Sequence, residues 1–274
     1  MPASQAEKAA RFVALHTRAG AFVIPNPWDA GSARVLAALG FEALATSSGA
    51  MAGILGRRDG GITREEALAQ CRGIVEATDL PVSADLERCY ADAPEGVAET
   101  VRLAAGTGLV GCSVEDATGR AEAPLYPLEL AVVRVRAAAE AARGLGFPFT
   151  LTARTENFLR GNPSLDDTIA RLRAFEAAGA DVLMAPGLPD LDAVRAVCAA
   201  LGKPFNFMAG IRGKSFTVAD LAAAGVKRVS LATSLYRAAM TGLVEAAREV
   251  QERGSFGYLD SALATPDLNR FMQG

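Results

Sequence analysis

Three carboxylates and one guanidinium fall where short apolar runs of this sequence end. Pro81-Val82-Ser83-Ala84 leads into Asp85-Leu86-Glu87, the run at 110–114 into Glu115, and the run at 149–153 into Arg154. Asp85 and Glu87 stand two apart, so on an extended strand both side chains leave on one face. Glu115 ends the next run and is expected at the same level. Carboxylates converging on one mouth repel unless a cation sits among them. Oxygen donors without histidine select a hard ion, Mg²⁺ that keeps several waters, with Mn²⁺ as a substitute. Arg154 offers a planar fork for a substrate carboxylate, or else a partner for Glu115 or Glu156. Ser48, Gly49 and Ala50 offer a hydroxyl and consecutive backbone N–H groups, either an anion-binding nest or simply a glycine-containing turn. A metal facing such an arginine suits a small 2-oxo acid that chelates through its carboxylate and keto oxygens. The ion then stabilises an enolate while a bond beta to the carboxylate is made or broken.

Other residue types narrow the chemistry by their scarcity. The single histidine, His16, lies in the first helical segment, which argues against a histidine metal site or a Ser–His–Asp triad at a strand end. None of Lys8, Lys203, Lys214 and Lys227 sits inside or at the C-terminal end of a predicted strand, which weakens a Schiff-base mechanism. Cys71, Cys89, Cys112 and Cys198 show no CxxC spacing and read as free thiols in a reducing compartment. A formal net charge of −3 gives no basic surface for nucleic acid. No window approaches the ~18 uninterrupted apolar residues of a membrane span. The polar N-terminus lacks the layout of a secretion signal, and the expectation is a cytoplasmic protein.

These side chains must be held by the elements around them, and the elements repeat. Apolar runs at 22–26, 43–48, 81–85, 110–115, 149–154, 181–185, 205–209 and 228–232 read as strands. Helical patterns follow them: about 29–39 with Asp29 as N-cap, one opened by Thr63 and Glu66, then about 94–105, 127–143, 165–178, 190–200, 217–224 and 234–252. Gly40, Gly108, Gly179, Gly202 and Gly225 stand where a left-handed residue would close a helix. Near-continuous apolar strands alternating with helices indicate a parallel sheet covered by helices, and eight units close a barrel. A doubly wound sheet would want a GxGxxG turn after the first strand, where the chain instead reads Pro25-Asn26-Pro27-Trp28-Asp29. The expected architecture is a single (β/α)₈ TIM-type barrel over residues 1–274. Its core covers about 21–252, after an N-terminal helix, and a helical extension covers about 253–274. In this fold chemistry gathers at the C-terminal strand ends.

Six segments carry a family resemblance. Pro25-Asn26-Pro27-Trp28-Asp29-Ala30, Ala45-Thr46-Ser47-Ser48-Gly49, Leu55-Gly56-Arg57-Arg58-Asp59-Gly60, the segment from Pro81 to Glu87, Val114-Glu115-Asp116 and Ala153-Arg154-Thr155-Glu156 together resemble the isocitrate lyase/phosphoenolpyruvate mutase superfamily. The resemblance runs in order from about residue 20 to 245. It implies a Mg²⁺-dependent barrel acting on C–C or P–C bonds of 2-oxo or 2-hydroxy acids. Asp85 then corresponds to the direct metal ligand, with Glu87 and Glu115 acting largely through water. Thr46, Ser48, Gly49, Ala50, Asp85 and Arg154 correspond to substrate-binding positions. Asp59 corresponds to the aspartate of a mobile loop near the reacting centre and, with Arg154, to the catalytic pair. The family is usually oligomeric, so a dimer or tetramer exchanging C-terminal helices is expected.

The sequence departs from that pattern in places. The lyase branch carries a Lys-Lys-Cys-Gly-His loop after strand four, and the mutase-like branches an asparagine-bearing gating loop. Residues 117–126 contain neither Cys, His nor Asn. Ala185-Pro186 stands where a histidine often follows strand six, and Arg88-Cys89-Tyr90 replaces a Gly-Tyr-Gly-like turn. Cys89 reads as a buried hydrophobe ahead of a proton carrier, and Tyr90 or Tyr126 as an acid only with a lowered pKa. The leading expectation is a lyase or decarboxylase acting on a small 2-oxo or 2-hydroxy di- or tricarboxylic acid. The alternatives are P–C chemistry, in which Arg57, Arg58, Arg120 or Arg160 would meet a phosphonate, and a 2-oxo-acid binding protein.

Overall fold

Each apolar run becomes a strand in the computed structural model, which describes residues 2–272. The strands are β1 (Phe22–Ile24), β2 (Leu44–Ala45), β3 (Val82–Asp85), β4 (Gly111–Glu115), β5 (Thr150–Arg154), β6 (Val182–Met184), β7 (Phe205–Met208) and β8 (Arg228–Ser230). All ladders are parallel, in the order β1-β8-β7-β6-β5-β4-β3-β2. Pro25 has no N–H to continue β1, so the last seam closes by other bonds. Ala45 N–H donates to Pro25 O at 3.0 Å. The Asn26 amide donates to Thr46 O at 2.7 Å and accepts from Leu231 N–H at 2.9 Å. One side chain thus fastens the ends of β2 and β8, and the result is the expected (β/α)₈ barrel.

The helices are α1 (Gln5–Thr17), α2 (Ala30–Ala38), α3 (Ser48–Ile54), α4 (Arg64–Glu76), α5 (Pro94–Ala105), α6 (Leu128–Arg143), α7 (Leu165–Ala177), α8 (Leu191–Ala200), α9 (Val218–Ala223), α10 (Ser234–Arg253) and α11 (Thr265–Met272). Asp29 caps α2, and Thr63 with Glu66 forms a capping box on α4, satisfying first-turn N–H groups. Gly40, Gly108, Gly179 and Gly225 take positive φ, as closing glycines should. Gly202 does not: α8 already ends at an extended Leu201, and Gly202 N–H donates to Glu176 instead.

Three features go beyond the sequence reading. Helix α3 occupies a stretch read only as a turn and glycine-rich loop. Helix α1 plugs the N-terminal end of the barrel, packing Ala9, Phe12 and Leu15 on Phe22, Ile24, Ala43 and Val110. Helix α10 has no buried residue, while α11 returns to α2, where Arg34 donates to Met272 O. Residues 273–274 of the expected extension lie outside the described residues. Among the described residues no helix is long and apolar enough to cross a membrane.

Candidate active site

Register decides how the charges stack. Asp85 pairs with Ser113 on β4, whereas Glu115 N–H donates to Glu87 O and Glu115 pairs with Arg154 on β5. Glu115 is therefore one rung above Asp85, not level with it as expected. The rung runs Glu87, Glu115, Arg154. The expected shared face of Asp85 and Glu87 also fails, because β3 stops at Asp85 and Glu87 is left-handed (φ 52°). Strict alternation holds only while the backbone stays extended. Asp85 lines a small cavity of about 50 Å³ inside the barrel, together with Thr46 and Arg154. Glu87, Glu115 and Arg154 line a mouth cavity of about 490 Å³, shared with Ser48, Asp59, Gly60, Arg88, Ala117, Gly119 and Arg160.

The carboxylates on this rung are uncomfortable by themselves. Burial, reinforced by Asp85 and Asp59, pushes Glu87 up to about 7. Burial also pushes Glu115 up, against the opposing pull of Arg154. Glu87 Oε1 is buried and finds no hydrogen-bond partner. Such groups prefer either a proton or a cation. The donor set is all oxygen, which fits Mg²⁺ better than softer ions. Among the described residues no three His, Cys, Asp or Glu side chains are gathered closely enough to ligate one ion directly. An ion held here by Asp85, Glu87 and Glu115 would keep waters.

Arg154 is paired, yet only along one edge. Its Nε lies 2.5 Å from Glu156 Oε1 and 3.5 Å from Glu115 Oε2. Neither terminal nitrogen has a hydrogen-bond partner among the described residues. The two carboxylates hold the positive charge firmly and raise the guanidinium pKa despite burial. Glu156 is itself 1% exposed and fixed from below, since its N–H and Thr155 Oγ1 both donate to buried Asp116. Both alternatives read from the sequence thus coexist: Nε serves the ion pair, and the fork remains open to a ligand. Glu156 was foreseen only as a possible partner for Arg154; nothing local in the sequence marks it as the anchor.

Helix α3 places Ser48, Gly49 and Ala50 on its first turn, where N–H groups have no intrahelical acceptor. Ser48 N–H is taken by Asp85 Oδ2 at 3.2 Å. A Cβ on Gly49 would lie 2.9 Å from Thr233 and 3.2 Å from Asp59, so glycine here lets the Asp59 loop settle directly on α3. Thr46 sits behind Asp85 instead: it is 1% exposed, and its hydroxyl accepts Asp85 N–H at 3.0 Å.

The loop after β3 is strained. Glu87, Cys89 and Tyr90 all have φ between 52° and 57°, a region that costs non-glycine residues about 1–3 kcal/mol each. Arg134, 1% exposed, compensates by donating to the carbonyls of Arg88, Ala91 and Asp92, and Thr100 donates to that of Cys89. Cys89 is fully buried, and burial pushes its thiol up to about 12. Burial likewise raises Tyr90, and burial with the Asp92 bond raises Tyr126. None of the three has the lowered pKa that an acid at neutral pH requires. Residues 117–126 fold back on themselves through a bridge between Ala117 and Leu125, and Arg120 binds Asp92 at 3.0 Å. His16 is at the opposite end of the barrel, and no lysine lines the mouth.

The phosphoenolpyruvate phosphomutase family matches residues 12–251. A Burkholderia cenocepacia protein solved as a candidate lyase/mutase is 52% identical, with a TM-score of 0.96 over 98% of this chain and 97% of that one. An oxaloacetate decarboxylase of Bradyrhizobium sp. (strain BTAi1) is 34% identical over 75% of this chain and 70% of its own. The structure of oxaloacetate acetylhydrolase with its product oxalate is 25% identical, with a TM-score of 0.88 over 98% of this chain and 94% of that one.

Proposed function

The chain belongs to the phosphoenolpyruvate mutase/isocitrate lyase superfamily, and we propose that it cleaves or forms a C–C bond of a small 2-oxo or 2-hydroxy di- or tricarboxylic acid. The observation that carries this reading is the rung itself: an arginine fork anchored by Glu156 shares the mouth with Glu87, whose buried Oε1 lacks a partner. In this reading Arg154 clamps the carboxylate next to the oxo group. Ser48, Gly49 and Ala50 border that carboxylate from the α3 side, and Thr46 keeps Asp85 in place. Asp85, Glu87 and Glu115 would hold Mg²⁺, or Mn²⁺ in its stead, largely through bound water, and the ion would supply positive charge against the oxygen that becomes negative as the bond breaks. Asp59, exposed above Gly49, is the carboxylate free to take or return a proton near the reacting carbon.

The phosphonate alternative has less support, because Arg120 of the 117–126 loop is already bonded to Asp92. Assembly through the C-terminal helices belongs to the same reading. Helix α10 exposes Met240, Leu243, Val244 and Val250 along its length, a face that a second copy would cover.

The test is a substrate panel with Mg²⁺: oxaloacetate, 2-methylisocitrate, isocitrate and phosphonopyruvate, following pyruvate, glyoxylate, oxalate and phosphate. Metal-dependent release of a keto acid or oxalate is expected. Phosphate release alone would overturn the proposal in favour of P–C chemistry, and tight 2-oxoglutarate binding without any turnover would leave only a binding protein.

A further inference from the structure

The mouth holds a second cation that the roles above do not use. Arg88 follows Glu87 directly and lines the same cavity as Glu87, Glu115 and Arg154. Its side chain is 37% exposed, and its Nε is buried without a hydrogen-bond partner. The nearest carboxylate, Asp92, is 3.8 Å away and already engaged by Tyr126 and Arg120. Arg134 donates to Arg88 O at 2.8 Å and so holds the backbone from which this side chain leaves. A Cβ on Gly119 would stand 3.2 Å from Arg88 Nη1. Glycine there lets the 117–126 loop roof the guanidinium without pressing on it.

A guanidinium whose terminal nitrogens border a cavity offers its donors to an anion there. Arg154 ends β5 and Arg88 follows β3, so β4 lies between these two cations, both of which line this cavity. We propose that Arg88 binds the second, distal carboxylate of the substrate and so makes the enzyme selective for 2-oxo or 2-hydroxy acids that carry two charged ends. This rests on the functional reading above and names the substrate class within it. Arg160, paired through Nε with Glu156 at 3.3 Å and half exposed on the same cavity, shares that carboxylate with Arg154 and so adds its charge to the Arg154 end. A planar fork with parallel N–H donors matches a carboxylate in two bonds.

The test uses paired ligands on full-length protein with Mg²⁺, by calorimetry. 2-Oxoglutarate carries the distal carboxylate and 2-oxopentanoate is its analogue without it; oxalate reports on the metal and Arg154 end alone. Wild type is expected to prefer 2-oxoglutarate over 2-oxopentanoate by about tenfold or more, as one charged hydrogen-bonded contact supplies. Arg88→Ala should remove that preference, and Arg88→Lys should restore part of it, while oxalate affinity stays within about threefold. Equal losses for all three ligands would make Arg88 a structural support of the loop and overturn the proposal. An unchanged preference would overturn it as well. Failure of wild type to bind oxalate with Mg²⁺ is a different result, because it sinks the functional reading and the Arg88 assignment with it.

Discussion

The two ends of the barrel bury charge in opposite ways. At the N-terminal floor, Arg228 is 5% exposed, yet Nε donates to Asn206 Oδ1 and Nη2 to Thr152 Oγ1, both at 2.8 Å, and Nη1 faces His16 Nε2 at 3.3 Å. His16 Nδ1 contacts Phe12 O at 2.8 Å, so the ring sits as the neutral tautomer that accepts from Arg228. Burial and Arg228 push His16 down to about 3, and burial lowers Arg228 to about 9. Every polar atom there has a partner within the chain. At the mouth, Glu87 Oε1 and Arg88 Nε have none, nor do Tyr90 Oη and Arg134 Nε behind the loop after β3, and the backbone of that loop is left-handed. Burial alone therefore does not mark a site. A site is marked where buried polar groups remain incomplete inside a scaffold rigid enough to keep them so.

That contrast can be broken from either side. The largest effect is expected for Asp85→Ala: loss of metal-dependent ligand binding and activity by at least about 100-fold with the melting temperature little changed. Retained activity with metal would remove Asp85 from the centre of the site. Arg154→Lys keeps the charge but loses the fork and should lower kcat/KM by roughly 10–100-fold; a change in stability alone would make the residue structural.

At the floor the expected pattern reverses. Arg228→Ala strips Asn206 and Thr152 of their partner and opens a hole, costing about 2–4 kcal/mol in denaturant unfolding while kcat per folded molecule holds. A smaller, pH-dependent effect belongs to His16. Its pKa in the fold lies below the ordinary value of 6.5, so the unfolded chain binds the proton first. His16 therefore supports the fold fully above about pH 6.5, and that support fades as pH falls toward 3. His16→Gln should flatten the decline, by on the order of 2 kcal/mol at pH 5, in unfolding curves taken from pH 7 to 4. Superimposable curves would mean that the ring is already protonated in the fold. The smallest effect is expected for Cys89→Ala, since its thiol is buried and pushed up to about 12: activity within about twofold of wild type. A large loss in turnover without loss of stability would restore the thiol as a proton carrier.

Composition, hydrophobic period and the residues at strand ends were enough to lay out eight strands, their helices and the carboxylate and arginine set at the mouth. These are local properties: a strand is written in its own apolar run, and a cap such as Thr63 with Glu66 is four residues long. The six family motifs added Asp59, which no spacing argument supplies. Helix α3 escaped because it is seven residues with two glycines, too short and too poor in helix formers to announce itself. The level of Glu115, the anchoring of Arg154 by Glu156 and the unpaired state of Arg88 all depend on tertiary contacts. Register is set between strands, not along one. Whether a charge is satisfied depends on what distant segments bring to it: α6 sends Arg134 to the β3 loop, and the segment after β4 sends Arg120 and Tyr126 to Asp92. The sequence by itself determined which charged groups stand at or just beyond the strand ends, because that is written in each strand's own run. Only the tertiary structure decided which of them are left with a hand free, because that depends on every neighbour the fold supplies.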